Sequence, residues 1–303
     1  MALLAGAAAL GAAAGGFLHG TAAVAWALAP GLAASAALFV GSVQCRRRGR
    51  GRLAGLLMDL ARMVAVLWSF TLLSYVAATL DRPLCDGLLI RADRALGLEW
   101  RGLSAALLAN PAAALALNLG YGGIGPQTAL VLPLLHAHGR ADAAARFIGA
   151  GTLALAATVL VSAFTPALGG YLHYGIGPED APRVLMPVAW RFLHHFAAAR
   201  AGNLSGLDIF VLDGVVTFPS FHASAALLFA WGCWSLLRWR WPIGGLNALM
   251  WASAVPVGGH YVVDVLAGTG VAALAILFAP ERSRGPLFAP ALPRGAEAGP
   301  GAA

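Results

Sequence analysis

Apolar residues run along this chain in long stretches broken by short clusters of charge. Residues 21–44, 53–80, 119–138, 144–164, 219–238, 242–258 and 260–279 each come close to the length that a bilayer crossing demands. That length is about 20 residues at 1.5 Å rise over a hydrocarbon core about 30 Å thick. Residues 3–18, almost all Ala, Gly and Leu, offer a further, shorter stretch. Inside a bilayer every backbone N–H and C=O must be satisfied within the protein, which leaves helices or closed barrels. No stretch shows the period-2 alternation of a barrel strand. The pattern predicts an all-α, polytopic transmembrane helix bundle. Residues 1–280 read as a single integral-membrane domain without internal repeats. The Pro-, Gly- and Arg-bearing tail, 281–303, reads as a disordered cytoplasmic segment.

Composition agrees with that pattern. Hydrophobic residues make up 59% of the chain and charged ones 11%, against about 25% charged in soluble domains, and the mean hydropathy is +0.75. The net charge of +7 invites a nucleic-acid reading, but all 20 basic residues are Arg, and they gather at the ends of apolar stretches, where topology determinants belong. No nucleic-acid partner is expected. The absence of Lys beside abundant Ala and Gly matches GC-rich codons and predicts a bacterial source. Cys45, Cys85 and Cys233 are too scattered for a disulfide framework or a metal motif. The N-terminus lacks the basic region of a secretory signal, so an uncleaved start is expected.

Arg placement sets the expected topology. The block Arg46-Arg47-Arg48-Gly49-Arg50-Gly51-Arg52 is assigned to the cytoplasm by the positive-inside rule. Successive crossings then put Arg140, Arg146, Arg238 and Arg240 on that side. Loop 165–218 and the starts of the stretches at 219 and 260 fall on the outer side. Residues 81–118 interleave Asp81, Arg82, Asp86, Arg91, Asp93, Arg94, Glu99 and Arg101 with Leu and Trp, and read as an amphipathic segment lying at the outer interface. Near the cytoplasmic end Asp59 and Arg62, three residues apart, are expected to pair, and His136 and His138 are read as loop residues.

Two stretches carry chemistry: Phe218-Pro219-Ser220-Phe221-His222-Ala223 and Gly258-Gly259-His260-Tyr261-Val262-Val263-Asp264. At i, i+4 on a helix, His260 and Asp264 share a face. The carboxylate can hold one imidazole nitrogen protonated and leave the other bare, as a nucleophilic or basic histidine requires. His222 sits at the outer mouth of the preceding outward-facing stretch and reaches the same depth. Both stretches open helices, Pro219 in a first turn where its missing N–H costs nothing. Free N–H groups and the positive dipole end there favour an oxyanion. Two histidines, a carboxylate and two anion-attracting helix starts suggest phosphoryl transfer. His260 attacks phosphorus, Asp264 orients it, and His222 protonates the departing oxygen and then activates water or an alcohol.

Pro-Ser-Phe-His followed by His-Tyr-Val-Val-Asp-Val-Leu-Ala-Gly resembles the type-2 phosphatidic acid phosphatase superfamily over about residues 120–280. The resemblance implies a six-helix catalytic core within about residues 53–280, with the motifs inside 119–280, and a metal-independent phosphohistidine mechanism. It makes His260 the nucleophile, Asp264 its partner and His222 the acid. Two departures stand out. A chain without Lys lacks the superfamily's first motif, and the usual Ser-Arg ahead of the histidine is Ser253-Ala254 here. Both departures look closer to the inositol phosphorylceramide synthase-like branch, where a Pro-containing stretch ending in an aromatic residue replaces the first motif. Pro166 to Tyr171 is a loose match to it. Arg183, Arg191 and Arg200 are the substitutes for the missing phosphate-binding Arg, Arg191 foremost. The substrate-binding candidates are Ser220, Gly259, Tyr171, Arg191 and Arg200.

Other polar groups have plainer readings. Adjacent helical residues diverge by about 100°, so His194 and His195 are not expected to share a metal. Gly120, Gly122, Gly123 and Gly125 fit close helix packing better than a phosphate loop. Glu179, Asp180, Asp208 and Asp213 read as solvated acids. The expected function is a lipid-phosphate phosphatase or phosphotransferase at the outer membrane face, needing no cofactor or metal. Its partners are a lipid phosphate in the membrane and, for transfer, an alcohol acceptor. Two alternatives stand beside it: an inositol phosphorylceramide synthase-like transfer of a phospho-headgroup, and a non-catalytic lipid-binding or transport protein. The oligomeric state is left open.

Overall fold

The computed structural model describes residues 21–186, 188–201 and 214–279. The expectations for residues 3–18, the tail from 281, Asp208 and Asp213 lie outside the described residues. All regular elements among the described residues are helical. The long helices come first: α1 (Thr21–Arg47) and α2 (Gly51–Ala78). Three short ones follow, α3 (Asp86–Ala95), α4 (Trp100–Leu108) and α5 (Pro111–Gly122), then α6 (Ile124–Ala137) and α7 (Ala141–Phe164). Past the single turn α8 (Gly170–His173) come α9 (Val188–Arg200), α10 (Phe221–Gly232), α11 (Arg240–Ser253) and α12 (Val262–Leu277).

Among the described residues two helices, α2 and α7, are long and apolar enough to cross a membrane; α4 and α5 form a pair bent by 107° that makes a third if it is one span. This is fewer than the hydropathy pattern predicts. Over the stretches at 119–138, 219–238, 242–258 and 260–279 the helices α6, α10, α11 and α12 have 14, 12, 14 and 16 residues, and residues 119–122 belong to α5. Residues 81–118 also differ from expectation. Glu99 and Asn110 break them into separate helices, each side chain accepting two backbone N–H bonds as an N-cap. Asp86 and Asp93 are buried within the protein, not turned to water.

α10 lies at the centre, packed against α7, α11 and α12. Ala225, Ala226, Leu228 and Phe229 pack into a core with Phe147 and Ala150 of α7, Met250 of α11 and Ala272 of α12. The approach of α12 to α10 requires Gly268: a Cβ there would collide with the Ser220 carbonyl oxygen. Ser224 spans the same crossing, its hydroxyl donating to the Gly268 carbonyl at 2.7 Å.

At the far end of the bundle Asp59 is fully buried. Arg62 holds one of its oxygens at 3.0 Å, as expected, and His136 holds the other at 2.9 Å. His136 is therefore not a loop residue but a member of α6 tying that helix to α2.

Candidate active site

The second motif forms a tight loop into α12. Trp100 donates its indole N–H to the His260 carbonyl at 3.0 Å, and the His260 N–H donates to Ala254. Gly259, at φ +73, takes a left-handed conformation that glycine adopts without steric cost, and its carbonyl accepts from Gly170 N–H at 2.7 Å. The first motif opens α10, with Ser220 as N-cap accepting from Ala223. The motifs are joined directly, because Ser220 N–H donates to the Asp264 carbonyl at 3.0 Å.

The expected trio converges. His260 Nδ1 lies 3.5 Å from Asp264 Oδ2, and the two imidazole rings of His222 and His260 are 6.4 Å apart. Asp264 is fully buried and His260 nearly so. Neither His260 Nδ1 nor Asp264 Oδ1 has a hydrogen-bond partner among the described residues. A distance of 3.5 Å is beyond a good hydrogen bond. Tyr121 of α5 stacks flat on His222 at 4.0 Å, a contact that the sequence does not signal.

Both histidines face a cavity of about 430 Å³ between α2, α7, α9 and the starts of α6 and α10. Most of its wall is apolar, including Leu67, Phe70, Leu155, Val159 and Phe192. Ser74, Thr71, Thr158 and Thr217 supply hydroxyls. The Thr158 hydroxyl is buried and has no partner among the described residues.

The five substrate-binding candidates do not line this cavity. Ser220 is spent on the α10 cap and on Asp264, and Gly259 on the loop. Tyr171 donates its hydroxyl to the Pro256 carbonyl, and burial raises its phenol above the ordinary range. Arg200 is ion-paired with Asp81 and donates to the Arg82 carbonyl. Arg191 lies on α9 beside Phe192, which does line the cavity. Arg183 reaches the Leu108 carbonyl. His195 is buried against the Tyr75 hydroxyl at 3.0 Å, pinning α9 to α2, and no cluster among the described residues could hold a metal.

The anion-attracting start expected at α12 is already occupied by carboxylates. Asp93 accepts Val262 N–H at 3.0 Å and Val263 N–H at 2.9 Å, and Asp264 accepts Tyr261 N–H at 2.9 Å. Burial raises the Asp93 carboxyl above the usual carboxylate range, with the Val263 and Val262 bonds opposing it. Seven residues before Asp93, Asp86 accepts the Tyr261 hydroxyl at 2.9 Å and the Leu168 and Gly169 N–H groups at 3.0 Å. This ties the stretch from Pro166 to Tyr171 to the loop that carries His260. The i, i+7 spacing, two helical turns on one face, was the available sign that these acids work together.

A family model described as the PAP2 superfamily matches residues 87–278. Neither a curated protein nor a solved structure matches the chain. The matched region holds both motifs, the paired histidines, Asp264 and Asp93, begins one residue after Asp86, and covers more than half of the sequence: the chain belongs to the PAP2 superfamily, whose members are generally phosphatase and phosphotransferase enzymes.

Proposed function

We propose that this protein cleaves a phosphate ester of a membrane lipid through a covalent phosphohistidine, at the outer membrane face. The observation that carries the reading is the pairing of His222 and His260, 6.4 Å apart, on the wall of an otherwise largely apolar cavity, with Asp264 behind His260. Asp264 holds the Nδ1 proton of His260, leaving the other nitrogen bare for attack. The N–P bond forms as the bond from phosphorus to the lipid oxygen breaks, and His222 delivers its proton to that oxygen. In the second half His222 takes a proton from the acceptor, whose oxygen displaces His260 from phosphorus. Water as acceptor gives hydrolysis. An alcohol gives transfer, the reaction of the inositol phosphorylceramide synthase-like branch. No Arg among the described residues lines the cavity, so the phosphoryl oxygens fall to His222 and to the amides opening α10. The outer-face assignment rests on the Arg46–Arg52 block.

The test is phosphate release from a panel of lipid phosphates by purified wild type beside His260→Ala, with and without added alcohols. Release by wild type and loss in the variant supports hydrolysis. Products that incorporate the alcohol move the reading to transfer. Lipid binding without turnover in either protein would replace it with the lipid-binding or transport alternative.

A further inference from the structure

A second cavity, of about 500 Å³, shares no lining residue with the histidine cavity. It lies between α4 and the turn around Asp180, and its wall includes Trp100, Arg101, Ser104, Tyr171, Asp180 and Arg183. Two guanidinium groups and one carboxylate give this wall a net positive charge. Arg101 lies over the Tyr174 ring, and Arg183 spends one N–H on the Leu108 carbonyl. Among the described residues neither pairs with a carboxylate. Asp180 accepts the Gly177 N–H.

Ser104 supplies an independent sign of a ligand. Several helical hydroxyls return to the carbonyl four residues back, as in Ser69, Thr128, Thr152 and Thr269; Ser104, like Thr158 on the wall of the histidine cavity, does not. Ser104 is 4% exposed, and its hydroxyl has no partner among the described residues. A buried hydroxyl left unmade is costly, and a bound acceptor would satisfy it. Two arginine forks and one hydroxyl form a donor set suited to the oxygens of a phosphate group. The Asp180 carboxylate offers an acceptor for a neighbouring alcohol.

We propose that this cavity binds a phosphate ester of a polyol, as a lipid headgroup or as a free molecule, at a site separate from the histidines. Trp100 and Tyr171 belong to its wall while holding the His260 and Pro256 carbonyls, so a ligand there rests against the residues that position the His260 loop. Binding does not require turnover at the histidines.

The experiment measures glycerol phosphate binding by calorimetry at low salt, and retention on vesicles of phosphatidylcholine with and without phosphatidylglycerol. It uses wild type, Arg101→Gln/Arg183→Gln, Ser104→Ala and His260→Ala. The double variant is expected to bind about 10-fold or more weakly and Ser104→Ala about 3- to 10-fold, with His260→Ala equal to wild type. Because Ser104→Ala removes an unpartnered hydroxyl, its melting temperature without ligand should not fall. Arginine-dependent binding of glycerol phosphate identifies the headgroup alone as sufficient; the same dependence only on phosphatidylglycerol vesicles identifies the lipid as the source. Undiminished binding by the double variant, loss of binding in His260→Ala, or no binding from either source overturns the proposal.

Discussion

Among the described residues are two buried histidine–aspartate pairs, and they differ in what is left unsatisfied. At one end His136 and Arg62 take both oxygens of Asp59 at 2.9 and 3.0 Å. At the other, His260 stands 3.5 Å from Asp264, and His260 Nδ1 and Asp264 Oδ1 have no hydrogen-bond partner among the described residues. Along α2, Asp59 lies 15 residues before Ser74 of the histidine cavity, about 22 Å at helical rise. The first pair joins α2 to α6, and none of its members lines the histidine cavity. The second lies within one motif beside a cavity and keeps hydrogen-bonding capacity in reserve. A completed buried pair positions helices; an incomplete one facing open space is equipped to act on something else.

The sharpest way to break this comparison is to remove each histidine. His260→Ala should lower phosphate release by about 10⁴-fold or more, as loss of a nucleophile does, and His222→Ala by about 10²–10⁴-fold, both in single-turnover assays on folded protein. If His136→Ala matched either loss, the two pairs would not differ as argued. Next come the carboxylates. Asp264→Asn should cost about 10²-fold or more in turnover through the wrong imidazole tautomer. Asp59→Asn should leave turnover per folded molecule within about 3-fold and instead lower thermal stability by about 2 kcal/mol, because Arg62 can turn to solvent while His136 loses its partner. Gly268→Ala should cost about 1–3 kcal/mol by forcing α12 from α10, read as a lower melting temperature with lowered turnover. The smallest effect is expected from Tyr121→Leu, which removes the stack on His222 worth about 0.5–1.5 kcal/mol and should reduce turnover about 3- to 10-fold with only a small fall in melting temperature.

Much of the site could be read from sequence because its geometry is local. His260 and Asp264 meet through the helical repeat, and Ser220 caps α10 through a three-residue reach. Counting crossings between 222 and 260 brought the two histidines to one depth, and the structure puts their rings side by side. The proposed phosphate ligands were not readable in the same way. Arg191 and Arg200 lie on α9, whose position is set by Tyr75–His195, a contact across 120 positions. Asp86 and Asp93 read as interfacial acids because their partners, the Tyr261 hydroxyl and the amides of Val262 and Val263, lie about 170 positions away.

By itself, then, the sequence determined the helical class, the apolar stretches, the family and the two motifs that hold His222, His260 and Asp264, because composition, helical period and cap spacing act over a few neighbouring positions. Tertiary structure decided which carboxylates occupy the start of α12, which aromatic ring covers His222, where the cavities open, and which of the two histidine–aspartate pairs is left unfinished. Those outcomes follow from packing between distant segments, where a partner is chosen by shape and hydrogen-bond demand rather than by any periodicity along the chain.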